Sequence, residues 1–284
     1  MGAAGLIEIK RRLKSVQSTK KITKAMGFVA TSKLRKSRKE LSANNAYAEI
    51  AKKNVKIAAE FVDDSSQFLY FKKNNSQKVL YIVVTSDSGL CGGYNINVVN
   101  KLKQLAGLEK DNVCVITVGA KGIPYIKKTG FNSVAEYVDI PDVPTIKEVK
   151  FIYEKALRLF CEGEVSEVKI IYTEFHSPVK QVVKSETLLP IEIENSNVGS
   201  QGFVEPDVNI VLKKSLDIYL KGMIRSILLS SKCSEQSARM TAMDSATSNA
   251  NDIISSLEIK YNRIRQTMIT QEISEIVGGA EAQK

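Results

Sequence analysis

The placement of helix-breaking residues constrains this chain more than any other feature. All six prolines, at positions 124, 141, 144, 178, 190 and 206, lie in the middle of the 284 residues, and glycine is absent from 28 to 88 and from 223 to 277. Inside a helix, proline costs about 3 kcal/mol and glycine about 1 kcal/mol. Two long terminal stretches are therefore free to be continuous helix, while the middle carries the turn signals.

The first stretch repeats in sevens. From Leu6 the series is Leu13, Lys20, Gly27, Leu34, Leu41, Ala48, Val55 and Val62; from Ile9 it is Val16, Thr23, Ala30, Ser37, Asn44, Ala51 and Ala58. This predicts an imperfect coiled-coil helix of about 55 residues, roughly 85 Å long, which needs a partner because propensity alone leaves so long a helix marginal. Val208 to Val277 offers one. Leu220, Ile227, Ser234, Thr241 and Ser248 are seven apart, flanked by Leu216, Met223, Ala238, Ser245 and Ile253. The small residues in that stripe predict a slender shaft with modest packing.

Between them, Lys78–Ser86, Asn112–Gly119 and Val168–Thr173 read as strands, with further strands over 181–193 and Ser133–Asp139. Helical patterns near 95–107, 119–128 and 145–161 alternate with them, and 195–206 is a polar linker. Strand alternating with helix implies a mostly parallel sheet. The expected architecture is α/β: a long antiparallel coiled coil of N- and C-terminal helices, residues 1–62 and 207–284, with an inserted Rossmann-like α/β domain, residues 76–194.

If residue 61 faces residue 208, paired positions sum to about 269, and the last dozen helical residues protrude alone. Their apolar face is Ile269, Ile273, Ile276 and Val277, which predicts an enclosing sleeve on another protein. Gly278 and Gly279 are expected to end the helix.

Charge is as uneven as the prolines. Residues 1–60 hold 15 Lys or Arg against 4 Asp or Glu, and within residues 1–39 Glu8 is the sole acid against 12 basic groups. Glu235, Asp244, Asp252 and Glu258 on the second helix offer partial neutralisation. The surplus suits an acidic protein surface, a nucleic acid or an anionic membrane, and charge alone does not choose among them. Phe28 is the one aromatic residue inside the run, too few for a stacking platform.

Other chemistry is thinly represented. The loop Ser86–Tyr94 follows a strand and precedes a helix, but Gly89, Gly92 and Gly93 match neither dinucleotide nor P-loop spacing. It reads as a tight turn that packs helix on sheet, and Gly119–Gly122 is a weaker case. His176 is the only histidine, and no Cys or His cluster accompanies it, so no catalytic residue, metal or cofactor is expected. Asp87 and Cys91 lack a base. Cys91, Cys114, Cys161 and Cys233 are scattered and imply a reducing compartment. The longest apolar run, Val79–Val84, is far short of the roughly 20 residues of a membrane span, and no secretory signal is evident at the N-terminus.

Three motifs resemble one family. They are the basic opening over 7–39, which includes Thr19-Lys20-Lys21-Ile22-Thr23-Lys24-Ala25-Met26; the loop Gly89-Leu90-Cys91-Gly92-Gly93-Tyr94-Asn95; and the closing run from Ile269-Thr270-Gln271-Glu272-Ile273 through Ile276-Val277-Gly278-Gly279. In order and over the whole chain, this resembles the gamma subunits of F-type ATP synthases. Ser88 stands where that family commonly has arginine. The resemblance implies a central rotor shaft without catalysis of its own, coupling ion flow to ATP synthesis or hydrolysis. It implies a surrounding ring of alpha and beta partners, together with this chain a 3:3:1 complex, an epsilon subunit and a c-subunit ring, and no nucleic acid. The location implied is peripheral, on the cytoplasmic face of a bacterial cell membrane. By position, Lys10, Arg11, Arg12, Lys20, Lys21, Lys24 and Met26 match the family's segment near acidic levers of beta. Arg265, Gln266, Thr270, Gln271 and Glu272 match the polar part of its C-terminal signature, and Ile273, Ile276 and Val277 match the tip held in an apolar collar.

Overall fold

The computed structural model describes residues 2–61, 68–107, 110–192 and 204–281. The heptad position Val62 and most of the expected linker lie outside the described residues. Helix α1 spans Gly2–Glu60 and helix α5 spans Val208–Glu281. Between them come β1 (Val79–Val84), α2 (Tyr94–Ala106), β2 (Val113–Val118), α3 (Gly122–Thr129), β3 (Asn132–Tyr137), α4 (Ile146–Cys161), β4 (Glu167–Phe175) and β5 (Gln181–Leu189). Asp207 starts α5 by accepting the amides of Asn209 and Ile210 on its carboxylate, a standard N-cap. No helix among the described residues is long and apolar enough to cross a membrane. The chain forms two compact units, Thr31–Arg239 and Met1–Ala30 with Met240–Lys284, so both long helices contribute to both.

In the Thr31–Arg239 unit the strand order is β3-β2-β1-β4-β5, parallel except for the antiparallel β4–β5 pair. Strands β1 and β2 are apolar along nearly their whole length because both faces are covered. On one face Leu80, Ile82, Ile116 and Ile170 pack against α4 and against Leu220, Ile224, Ile227 and Leu228 of α5. On the other, Tyr81, Val83, Val115 and Ile171 pack against Val98, Val99 and Leu102 of α2 and Ile126 of α3. Strand β5 stops at Leu189 rather than 193, since Pro190 has no N–H to continue the ladder.

The heptads of α1 are realised in full over the described residues. Positions 6, 9, 13, 16, 20, 23, 27, 30, 34, 37, 41, 44, 48, 51, 55 and 58 are all buried or half-buried. Antiparallel pairing is direct in both units. Thr23 and Thr247 hydroxyls meet at 2.8 Å, and Asn44 Nδ2 donates to Ser226 Oγ at 2.7 Å, pairs that each sum to 270.

Helix α5 departs from the expected stripe. Leu220, Ile227 and Ser234 are buried, but Thr241, Ser245, Ser248 and Ile253 are exposed. In the terminal unit the seam instead steps through Met243, Thr247, Ala250, Ile254, Leu257, Tyr261, Ile264 and Met268, alternating four and three residues. A heptad count carried forward from Leu220 loses phase where the helix is enclosed on several sides. Helix α5 also continues through Gly278 and Gly279 to Glu281. Neither glycine has a positive φ, so neither forms a left-handed cap, and each adds only a modest helix cost.

The glycines that matter most are those of the β2–α3 turn. Gly119 has φ +96°, and a Cβ there would lie 2.3 Å from the Thr85 carbonyl oxygen. Gly119→Ala should lower stability by about 2–4 kcal/mol, read as a reduced midpoint in urea unfolding.

Candidate functional site

The partner-contact residues anticipated from sequence fall into two groups, both in the terminal unit. Lys10, Arg11, Arg12, Lys21 and Lys24 are exposed on α1, with the Lys24 ammonium 5.9 Å from the centre of the Phe28 ring. Lys20 and Met26 are half-buried instead. Lys20 belongs to the heptad series facing α5, so its stem lies along the seam. Ile22, Phe28 and Val29 add exposed apolar surface between the cations, at 59%, 65% and 54% exposure.

The second group lies beyond the end of the seam. Every residue from Ile269 to Glu281 is exposed, and Arg265 and Gln266 are too. Ile273, Ile276 and Val277 are 57%, 71% and 54% exposed, spaced so that one side of a single helix is apolar. The hydroxyls of Thr270 and Ser274 donate to carbonyls four residues back, and Gln271 Nε2 donates to Glu275 at 3.0 Å. The polar tip residues thus satisfy one another within the helix, leaving Glu272 and the apolar side to face outward.

The Thr31–Arg239 unit holds a third arrangement. Its topological switch point lies between β1 and β4, where α/β sheets usually take ligands at the strands' carboxyl ends. Here α5 fills that place. Residues Ser230–Ser237 are buried without interruption. Ser234 Oγ donates to the Thr173 carbonyl at 3.0 Å, Phe175 N–H donates to Ser230 Oγ at 2.9 Å, and the Tyr94 hydroxyl donates to the Ser231 carbonyl at 3.2 Å. Burial pushes the Tyr94 hydroxyl well above the usual tyrosine range, which keeps it a donor, and raises the Cys233 thiol to about 12. That thiol packs as a small apolar group.

Charges accompany the serines. The Arg239 guanidinium donates to Ser88 O and Oγ at 2.9 and 2.8 Å, to Gly89 O at 3.2 Å, to Gln236 Oε1 at 2.9 Å and to Glu235 Oε1 at 2.9 Å. Lys232 Nζ lies 3.5 Å from Asp87 and 3.4 Å from Glu235. Glu235 is therefore consumed inside the unit and does not neutralise the basic run, contrary to the sequence expectation. Asp87 accepts the amides of Ala120, Asp139 and Ile140, which leaves it no role as an acid beside Cys91. His176 follows the end of β4 and pairs with Glu174 at 2.6 Å. Sequence reasoning missed this cluster, although Lys232, Glu235 and Arg239, spaced three and four apart among serines, were its signal.

Comparison with known proteins adds a consistent result. A family model described as ATP synthase matches residues 5–283. The chain is 58% identical to an ATP synthase gamma chain of Clostridium botulinum (strain Eklund 17B) and 55% identical to one of Clostridium beijerinckii, in each case over 100% of both chains. A central stalk/c-ring structure of the Tetrahymena thermophila mitochondrial ATP synthase contains a chain 26% identical, with TM-score 0.60, covering 79% of this chain and 99% of that one. A chain of the Euglena gracilis mitochondrial enzyme shares the fold at TM-score 0.73 and 16% identity, covering 99% and 95%.

The seam register can be tested by chemistry. Thr23→Cys with Thr247→Cys should oxidise to a disulfide within the chain, whereas Thr23→Cys with Thr241→Cys should not, as read by non-reducing electrophoresis.

Proposed function

This chain belongs to the ATP synthase gamma family, and from that premise we propose that it turns as the central shaft inside a ring of alpha and beta subunits in a 3:3:1 complex. Ion flow through a c-subunit ring drives it, with an epsilon subunit beside its α/β unit, at the cytoplasmic face of a bacterial cell membrane to which it is peripheral. The observation that carries the reading is the end of the seam. Helix α5 outlasts its partner and presents Ile269, Ile273, Ile276 and Val277 on one side of a lone helix. A soluble chain rarely leaves such a stripe uncovered, and an apolar collar of the ring would cover it.

The chain itself catalyses nothing in this reading. Its switch-point crevice is filled by Ser230–Arg239, and the carboxylates beside it, Asp87 and Glu235, are engaged in the contacts described above, as is the single histidine. Its work is mechanical. Each beta conformation must be favoured at one shaft angle, which is a coupling free energy between separated sites. A symmetric shaft would bias the three sites equally and shift none. The basic face of Lys10, Arg11, Arg12, Lys21 and Lys24 supplies the asymmetry and suits acidic levers of beta. Exposed ion pairs are worth about 0–1 kcal/mol each, so such contacts can form and release without trapping the shaft at one angle. Arg265, Gln266, Thr270, Gln271 and Glu272 meet the inner loops of the ring. Lys20 and Met26 act from the seam, positioning the exposed cations.

Reversing Lys21 and Lys24 to glutamate leaves the seam intact. In the assembled complex that double variant should lower ATP-driven ion pumping severalfold while alpha and beta still co-purify. Pumping per ATP hydrolysed equal to wild type would count against the assignment.

A further inference from the structure

The segment between β3 and α4 touches both long helices. Ser37 of α1, fully buried, donates its hydroxyl to the Asp142 carbonyl at 2.8 Å, and Lys33 of α1 pairs with Asp142 Oδ2 at 2.9 Å. From α5, Gln236 Nε2 donates to Asp142 Oδ1 at 2.9 Å and Arg225 Nε donates to the Pro144 carbonyl at 2.9 Å. Val143 sits between these contacts, packed on Leu34 and Leu41 of α1 and Leu229 and Cys233 of α5. One short stretch of backbone is thus bonded to two helices on both sides of an apolar wedge.

That stretch is stiff. At its start the Asp87 carboxylate holds the amides of Asp139 and Ile140. At its end Thr145 and Glu148 form a reciprocal capping box that fixes the chain into α4, and α4 packs on the sheet. Pro141 and Pro144 restrict φ in between. A loop tied at both ends and wedged at its centre transmits force instead of yielding to it.

Building on the rotor reading, we propose that Asp139–Thr145 is a torsion strut that delivers twist from the sheet to α1 and α5 together, with Asp142 as its positioning residue. At the strut the direct apolar contact between the two helices is short, Leu34 and Leu41 against Leu229 and Cys233 with Ser37 between them, so it does little by itself to stop one helix rolling on the other. Without an outside brace, twist applied to one would be absorbed partly in the seam. The strut grips α1 at Lys33 and Ser37 and α5 at Arg225 and Gln236, so neither helix can turn without moving the same backbone segment. Asp142 supplies three of those contacts, two through its carboxylate and one through its carbonyl.

The test uses the complete ATP synthase with a rotation probe on the α/β unit and the ring held by a non-hydrolysable nucleotide. Asp142→Ala should widen the angular spread of the probe about twofold, because two helix contacts share that side chain. The unfolding temperature of the complex should stay within about 5 °C of wild type. Asp142→Asn keeps an acceptor for Gln236 and loses only the half-exposed Lys33 pair, so its spread should remain near wild type. A spread in Asp142→Ala equal to wild type overturns the proposal, as does an Asp142→Asn variant as loose as the alanine. Should Asp142→Ala fail to assemble, Ser37→Ala decides, since it removes one strut contact and no wedge packing; an unchanged spread there is equally fatal. A wild-type complex whose α/β unit does not rotate against the ring once hydrolysable ATP replaces the locking nucleotide would instead overturn the rotor reading.

Discussion

Everything in the α/β unit depends on α5 lying across the carboxyl ends of β1 and β4. The helix supplies Leu220, Ile224, Ile227 and Leu228 to one face of the sheet, then crosses the strand ends with Ser230, Ser231, Ser234 and Ser237. Serine is the residue this crossing requires. It is small enough for the helix to approach the strand ends closely, and the hydroxyls of Ser230 and Ser234 satisfy an amide and a carbonyl at the end of β4 while Ser237 satisfies the Pro178 carbonyl. The buried charges behave in the same way. Lys232 and Arg239 balance Asp87 and Glu235, and Arg239 spends its remaining donors on loop carbonyls. Removing one member would strand its partner in a dry site, which costs far more than the intact group contributes. The crevice that other α/β proteins keep open for a ligand is here occupied by the chain's own helix, and the glycine-rich loop beside it becomes a receptor for Arg239.

This explains how much of α5 was legible in the sequence. Helix α1 has one dominant neighbour, so its apolar period is a clean heptad, and even the interruptions Lys20, Gly27 and Asn44 fall in the seam. Asn44 is kept there by bonds to Gly222, Ser226 and Arg225. Helix α5 meets the sheet, two loops and α1 in its middle. No single stripe describes it there, and a count of sevens begun at Leu220 drifts off the buried face by Thr241. Once α5 is left with α1 alone, the alternation of four and three returns from Met243 onward. Period is informative only where one partner dominates.

The sheet was legible because β1 and β2 are too apolar to be anything but central strands, and β5 overran only because Pro190 was read inside it. The polar cluster was legible only in its helical part, the spacing of Lys232, Glu235 and Arg239, because its other members lie at 87–89 and 142 and nothing local relates those to the helix. A serine in a helix reads equally as weak packing or as a hydrogen-bond donor to a distant strand, and only the tertiary fold decides. Gly278 and Gly279 misled for a related reason: glycine permits a helix to stop but does not compel it when nothing requires a positive φ.

The chain separates strong contacts from weak ones along the same pair of helices. Between Thr31 and Arg239 both helices are held by buried hydrogen bonds and an apolar core, and α5 also by the donors that Arg239 gives to the Ser88–Gly89 loop, contacts that hold only if none is missing. In the terminal unit the seam is thin, the charges are solvated, and the apolar tip is uncovered. Solvated charges attract over about 8–10 Å at ordinary salt and release at small cost. A part that must be gripped permanently in one region and contacted transiently in another needs this division. An even spread of either kind of contact would make a shaft that slips in its own domain or one that cannot leave its last partner.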